Sequence, residues 1–280
     1  MNQPDTDKVF SGSIPKLYEE YLVPMIFASY AEDVVRRLAA HPATHPAIHP
    51  AARVLEIAAG TGVVTRRLAA VLPHSISIVA TDLNPAMLAL AAKTGTSRTV
   101  EWQQADAMQL PFGDSTFDAV VCQFGAMFFP DKAKAFSEAR RVLKPGGVFI
   151  FSVWDSIQEN EFADTVETAL APLFPHDPPR FMGRTPHGYY DLAAIAQDLQ
   201  AGGFRSSPRI VTVAARSLAS SAQVAAIAYC QGTPLRNEIE ARGKSQLKPA
   251  TDIAAQAIAQ RFGTGPVNGK TQAHIVTVEC

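Results

Sequence analysis

A chain of 280 residues, 47% of them apolar, can build one large α/β domain or two small ones around a real core. Its 25 basic and 26 acidic residues leave a formal charge of -1, so no bulk field gathers nucleic acid or an anionic membrane surface. The polar, acidic start from Met1 to Phe10 has no apolar core of a secretion signal, and no apolar stretch approaches the roughly 18 residues of a bilayer span. The three cysteines, Cys122, Cys230 and Cys280, are far apart and form neither a CxxC nor a Cys/His cluster. Neither a disulfide framework nor a metal site is expected, and a cytoplasmic location is.

Leu17, Tyr18, Tyr21, Leu22, Ile26, Phe27 and Tyr30 recur at helical spacing with Pro24 between them, and Val34, Val35 and Leu38 follow, which predicts two short helices. His-Pro then repeats every four residues across 41–50. Proline excludes a regular helix there, and a polyproline II chain turns every three residues, so the imidazoles do not share a face. A linker is expected rather than a metal tract.

From residue 53 short apolar runs alternate with helical patterns, the mark of βαβ units and a mostly parallel sheet. Strands are predicted over 53–57, 77–82, 99–104, 117–123 and 148–153, with helices over 63–72, 85–93 and 132–143. Lys144-Pro145-Gly146-Gly147 reads as a turn, with Pro fixing one φ and Gly accepting a positive one. A Pro-rich passage follows, then a helix over 192–200, a strand over 209–215, a helical region over 220–262 and a last strand over 273–278. The late helical region is a natural cap or dimer-interface element.

The chemistry concentrates in Val54-Leu55-Glu56-Ile57-Ala58-Ala59-Gly60-Thr61-Gly62, a buried strand entering a Gly-x-Gly turn and an amphipathic helix. Small residues let a ligand approach the backbone, and a helix start offers unpaired N–H groups to its anionic part. A dinucleotide fingerprint wants a third glycine three residues on, where Thr65 stands. Asp82 ends the second strand, where a carboxylate can accept both hydroxyls of a ribose; opening the helix at Asn84-Pro85 is the other use open to it. Asp106 follows the third strand, placed either to meet an adenine amino group or to serve as a loop carboxylate. Glu56 can equally be a partly solvated structural acid. Neither Gly243-Lys244-Ser245 nor Gly269-Lys270-Thr271 has the upstream glycine of a P-loop, and HExxH and GxSxG are absent from the sequence.

Glu56-x-x-x-Gly60-x-Gly62, Asp82, Asp106-Ala107, Phe117 to Gln123 and Arg141-Val142-Leu143-Lys144-Pro145-Gly146-Gly147, in that order, resemble class I S-adenosylmethionine-dependent methyltransferases. The likeness covers about residues 53–155 and is nearest the small-molecule branch that includes the ubiquinone and menaquinone biosynthesis C-methyltransferases. It implies a Rossmann-like, mostly parallel seven-stranded sheet with helices on both faces, an N-terminal helical lid and a C-terminal helical insertion. The implied division is 1–50 as lid and linker, 51–155 as cofactor-binding core, and 156–280 as the rest of the sheet with the substrate-pocket insertion.

The resemblance places Glu56, Ala58, Gly60, Thr61 and Gly62 around the methionine end of S-adenosylmethionine, Asp82 on the ribose, and Asp106 with Ala107 on the adenine. Leu83 and Met87 would flank the ring, and Gln123 and Phe124 would lie near the methyl group. Ala58 stands where the family more often has glycine, and Glu56 where aspartate is commoner. S-adenosyl-L-homocysteine would be the product and a small organic molecule the acceptor, with no nucleic acid and no membrane insertion. The catalytic group is unknown; His187, Tyr18 and Tyr21 are the candidates should the acceptor need a base. Two other readings share these residues: an NAD(P)-dependent oxidoreductase on a similar sheet, and a catalytically silent S-adenosylmethionine-binding protein.

Overall fold

The computed structural model describes residues 7–45 and 51–280. Seven strands form one sheet: β1 (Arg53–Glu56), β2 (Ser77–Asp82), β3 (Glu101–Gln104), β4 (Phe117–Gln123), β5 (Leu143–Trp154), β6 (Arg209–Ala219) and β7 (Val267–Glu279), in the order β3-β2-β1-β4-β5-β7-β6. Strands β1 to β5 pair in parallel, and the apolar side chains of β1, β2 and β4 are buried as a sheet covered on both faces requires, while edge strand β3 has only half-buried Trp102. β7 opposes them: Cys280 lies against Gly147, and Gln272 accepts from the Asp155 N–H at 3.0 Å, so numbering falls along β7 as it rises along β5. The α/β class and mostly parallel sheet agree with the sequence reading.

Differences in the elements have local causes. Residues 144–147 lie within β5 rather than in a turn before it, because Phe117 pairs with Leu143 while Ala119 already pairs with Val148. The extra residues bulge out of the ladder, and Gly146, at φ +77°, supplies the conformation that the excursion needs. The two predicted N-terminal helices are a continuous helical run over 14–39. Pro24 sits inside a π-helical stretch, Tyr18–Phe27, where the Ala28 N–H reaches Val23 O, so the bond ladder steps past the missing proline donor. In the His-Pro tract, Pro42–Thr44 forms a single 3-10 turn with Ala43 and Thr44 buried; positions 46–50 lie outside the described residues. β6 and β7 run longer than the sequence predicts, and the late helical region divides into Ala222–Gln231, Leu235–Ala241 and Leu247–Phe262.

Two compact units share the chain. One comprises 30–153, 190–212 and 274–280, and holds β1 to β4 with their helices. Its core centres on Phe136, Phe149 and Phe151, with ring centroids 4.9 to 5.7 Å apart. Asp118, 4% exposed at the start of β4, accepts from the Arg53 N–H and from Lys144 Nζ, both at 2.8 Å, and ties β1 and the bulge of β5 to β4.

The other unit comprises the described part of 1–29 together with 154–189 and 213–273, and is mainly helical. Buried Asp7 accepts from Arg184 Nη2 at 2.6 Å, the same nitrogen donates to Glu238 Oε1 at 2.6 Å, and Thr185 adds its hydroxyl to Asp7. These charge-assisted bonds fix the N-terminal segment within its unit.

Asp118→Ala should lower stability by about 1–3 kcal/mol, because the Arg53 N–H then lacks its acceptor, whereas Lys144→Ala removes only a half-exposed partner and should cost less than about 1 kcal/mol. Denaturant melts of the two variants check the ordering.

Candidate functional site

The predicted cofactor residues lie at the carboxyl ends of the adjacent strands β1, β2, β3 and β4 of the sheet-bearing unit. After β1, Ile57 N–H donates to Val121 O at 2.8 Å and Ala59 N–H to Thr81 O at 2.9 Å, so both neighbouring strands hold the turn. Ala58, Gly60 and Gly62 all have positive φ, at 55°, 57° and 84°. The two glycines differ in purpose. A Cβ on Gly62 would lie 3.1 Å from both Ala91 and Trp102, so this glycine lets the helix Val63–Val71 pack closely. A Cβ on Gly60 would meet only Met87 Cε, at 3.8 Å, and its backbone is open to approach.

Asp82 fastens this turn. Its Oδ2 accepts from the Gly60 N–H at 2.8 Å, and its Oδ1 accepts from the Asn84 N–H at 2.7 Å. One carboxylate thus joins the loops after β1 and β2. Oδ1 also accepts a longer bond from Asn84 Nδ2 at 3.4 Å, while Oδ2 has the Gly60 N–H and a second lone pair. At 7% exposure, loss of hydration raises the Asp82 pKa, and the backbone bonds oppose that rise.

Glu56 is 1% exposed, which corrects its reading as a partly solvated acid. Burial raises its pKa to about 8, against a hydrogen bond from Thr65 Oγ1 at 2.5 Å that favours the anion. Near neutral pH its carboxyl is therefore mainly protonated. Thr65, met in the sequence only as the missing third glycine, is the partner of this acid. Its neighbour Thr61 is also buried, and its hydroxyl has no hydrogen-bond partner among the described residues.

Phe124 follows β4 at φ +52°, with its N–H held by Ser152 O at 3.0 Å and its ring edge-on to Tyr30. Such a conformation costs a β-carbon residue about 1–2 kcal/mol and persists where its surroundings impose it. The next residue explains Ala58. A Cβ on Gly125 would fall 2.5 Å from Ala58 Cβ and 2.8 Å from Cys122 Sγ. The methyl group that narrows the first loop fits because residue 125 has none. Sequence reading missed this complementary pair, since the two positions meet only once β1 and β4 are side by side.

Met87 and Ala107 are buried, Gln123 and Asp106 are half-buried, and Leu83 is 47% exposed immediately beside Asp82. Asp106 Oδ1 accepts from the Met108 N–H at 2.9 Å, so one of its oxygens shapes its own turn.

The three candidate bases belong to the helical unit. His187 is 5% exposed, and Nδ1 lies 2.9 Å from Asp155 O, which fixes the proton on Nδ1. Burial lowers its pKa to about 4, so it is neutral and a weak base at pH 7. Tyr18 stacks on Phe27 with centroids 4.9 Å apart. Tyr21 has its phenol pKa raised, chiefly by hydrogen bonding and repulsion from Glu20, which makes it a poorer source of phenolate. Among the described residues, no group of His, Cys, Asp and Glu could hold a metal ion.

A family model described as a methyltransferase domain matches residues 55–151. An uncharacterized protein of Mycobacterium tuberculosis is 36% identical over 132 residues, 46% of each chain. A ubiquinone/menaquinone biosynthesis C-methyltransferase of Pseudomonas paraeruginosa is 38% identical over 128 residues, 43% of this chain and 50% of that one. The match thus spans about half the length of these curated relatives. In fold, the chain resembles a phosphoethanolamine N-methyltransferase of Haemonchus contortus solved with S-adenosylhomocysteine, with TM-score 0.58, 16% identity, and coverage of 99% of this chain and 60% of that one.

Gly125→Ala should destabilise the protein by about 1–3 kcal/mol through overpacking against Ala58, and adding Ala58→Gly should recover much of the loss. Thermal melts of both single variants and the double variant measure that coupling. The pH dependence follows from Glu56. Its folded pKa of about 8 exceeds the ordinary 4.5, so the native state binds more protons across that window. Its contribution to stability is fullest below pH 4.5 and falls as pH rises towards 8. Glu56→Gln should flatten this decline in denaturant midpoints measured between pH 5.5 and 8.5.

Proposed function

We propose that this chain, a class I S-adenosylmethionine-dependent methyltransferase by its domain at residues 55–151, moves a methyl group to a small organic acceptor. The observation that carries the proposal is the Gly60 backbone, pinned by Asp82 and left open to close approach. Three further features fit the cofactor. The buried Thr61 hydroxyl lacks a partner among the described residues, Asp82 Oδ2 keeps a lone pair for a ribose hydroxyl with Oδ1 more weakly shared by the Asn84 amide, and exposed Leu83 offers an apolar face beside them.

In this reading Asp82 binds the ribose, while Leu83 and Met87 flank the adenine that Asp106 and Ala107 meet at its edge. Glu56, Ala58, Gly60, Thr61 and Gly62 surround the methionine end. Gln123 and Phe124 border the methyl group. S-adenosylmethionine supplies a methyl group activated by a sulfonium. The residues' part is to orient, to exclude water and to stabilise charge, since an in-line displacement draws mainly on alignment. Glu56 and Asp82 complement a cationic ligand, whose charge would favour the ionised form of each. A base is needed only where the acceptor must first lose a proton.

Acceptor choice is assigned to the segments outside 55–151, the N-terminal helices and the late helical region, because the family likeness stops short of both. A cytoplasmic location accompanies this reading, in keeping with three free cysteines. The nicotinamide reading is disfavoured by Thr65, whose hydroxyl is engaged by Glu56 where a dinucleotide site wants the third glycine.

S-adenosylhomocysteine should raise the melting temperature, and NADH at the same concentration should not; stabilisation by NADH alone would overturn the assignment. Asp82→Asn should weaken S-adenosylhomocysteine binding by one to two decades, as expected for lost charge-assisted bonds worth about 1.5–3 kcal/mol. Because Asp82 also holds two backbone N–H groups, the variant should lose stability as well, so calorimetric titration must be done below its melting range. Affinity equal to the wild type would sink the ribose role.

A further inference from the structure

The sheet-bearing unit has a recess built from none of the residues of the loops after β1, β2 and β4. Its floor is Ile150 of β5, Thr277 of β7 and Val211 of β6, and the end of the helix Ala28–Ala39 closes one side. The cavity measures about 480 Å³, within the range of small-molecule sites. Arg36, Arg37, His41 and Arg209 stand on its wall.

The partners of these cations leave much of their donor capacity unused. Arg36 and Arg37 share one carboxylate: Arg36 Nη2 and Arg37 Nε both donate to Asp33, the latter at 2.6 Å. No acceptor meets the terminal nitrogens of Arg37 among the described residues, although its side chain is only 23% exposed. His41 Nδ1 accepts from the Ala43 N–H at 3.2 Å, which puts the ring proton on Nε2, 3.3 Å from Glu279 Oε1. The side chain of Arg209, exposed at the start of β6, makes no hydrogen bond or ion pair with a described residue. Three guanidinium groups therefore face two carboxylates around an apolar floor, and each carboxylate is already engaged.

We propose that this recess binds a small amphiphilic anion, its phosphate or carboxylate head held by Arg37 and Arg209 and its apolar body on Ile150, Val211 and Pro42. Guanidinium groups suit such heads because their paired N–H donors match two oxygens at once. Arg37, partly desolvated and short of acceptors, gains more from such a ligand than the exposed Arg209, whose part is to complete the pair of donors. The apolar floor limits the ligand to one with a compact hydrocarbon or aromatic part, and an inorganic anion would leave that floor unused. The site is separate from the cofactor loops, so it stands or falls independently of the proposed methyl transfer.

Calorimetric titration of the full chain with phenyl phosphate, benzoate and benzyl alcohol in about 0.15 M salt tests the proposal. One of the two anions should bind with a submillimolar Kd and benzyl alcohol should not. Arg209→Gln should weaken binding by about tenfold or more, while Arg205→Gln, an exposed arginine outside the recess, should leave it unchanged. S-adenosylhomocysteine affinity should be the same in the wild type and Arg209→Gln, which also reports that the variant is folded. Absence of saturable binding by both anions, equal binding to Arg209→Gln, or displacement of the anion by S-adenosylhomocysteine would each overturn the proposal.

Discussion

The bond from the Gly60 N–H to the Asp82 carboxylate is the constraint on which the candidate site depends. Without it, the turn after β1 would have one buried donor fewer satisfied and no fixed distance to the end of β2. With it, the two loops move as one piece, because the other oxygen of the same carboxylate holds Asn84. Thr81 completes the tie: its carbonyl accepts from Ala59, and its hydroxyl donates to Glu56 O at 2.9 Å. A charged acceptor makes these bonds stronger than neutral ones, which offsets part of the desolvation that Asp82 undergoes.

The same arrangement gathers acid where water is scarce. Glu56 and Asp82 are both buried, burial raises both pKa values, and the Asp82 charge adds to the rise at Glu56. Folding alone would be better served by apolar or amide groups at Glu56. Retaining a carboxyl there, beside strained Ala58 and near strained Phe124, is the pattern of a site whose local costs are met by the surrounding sheet. A positive charge brought near this pair would favour the ionised forms, and a negative charge would disfavour them.

Much of this was legible in the sequence, for a physical reason. The alternation of apolar runs with helical patterns fixes parallel strands, and the small residues after β1 together with Asp82 at the end of β2 mark the ligand end of such a sheet. Contacts between positions far apart in sequence were not legible. Thr65 reads as a deviation until it is found against Glu56, and Ala58 reads as an obstruction until Gly125 is found facing it. Lys144-Pro145-Gly146-Gly147 has turn chemistry, yet the neighbouring strand absorbs it as a bulge because pairing with β4 resumes on either side. Pro24 signals a break, but a π-helical ladder carries the chain past it. In each case the local signal was real, and tertiary pairing decided its outcome.

The helical unit shows the same principle acting on the catalytic candidates. In sequence, His187 has the composition of a general base, a histidine close to two tyrosines. In the fold, its proton is committed to the Asp155 carbonyl, and burial lowers its pKa to about 4. A base of that strength is unprotonated at pH 7 but gains little from taking a proton from an acceptor of higher pKa. Its ring, near Trp154 with centroids 6.1 Å apart, serves instead to order its own unit. Tyr18 is similarly engaged in stacking, and Tyr21 is held away from phenolate by Glu20. A displacement at an activated methyl group does not require a base when the acceptor already presents a lone pair or a stabilised carbanion. For the methyl transfer proposed above, the physical demands then fall on holding the acceptor in line and keeping it dry, which apolar and aromatic side chains meet without titrating.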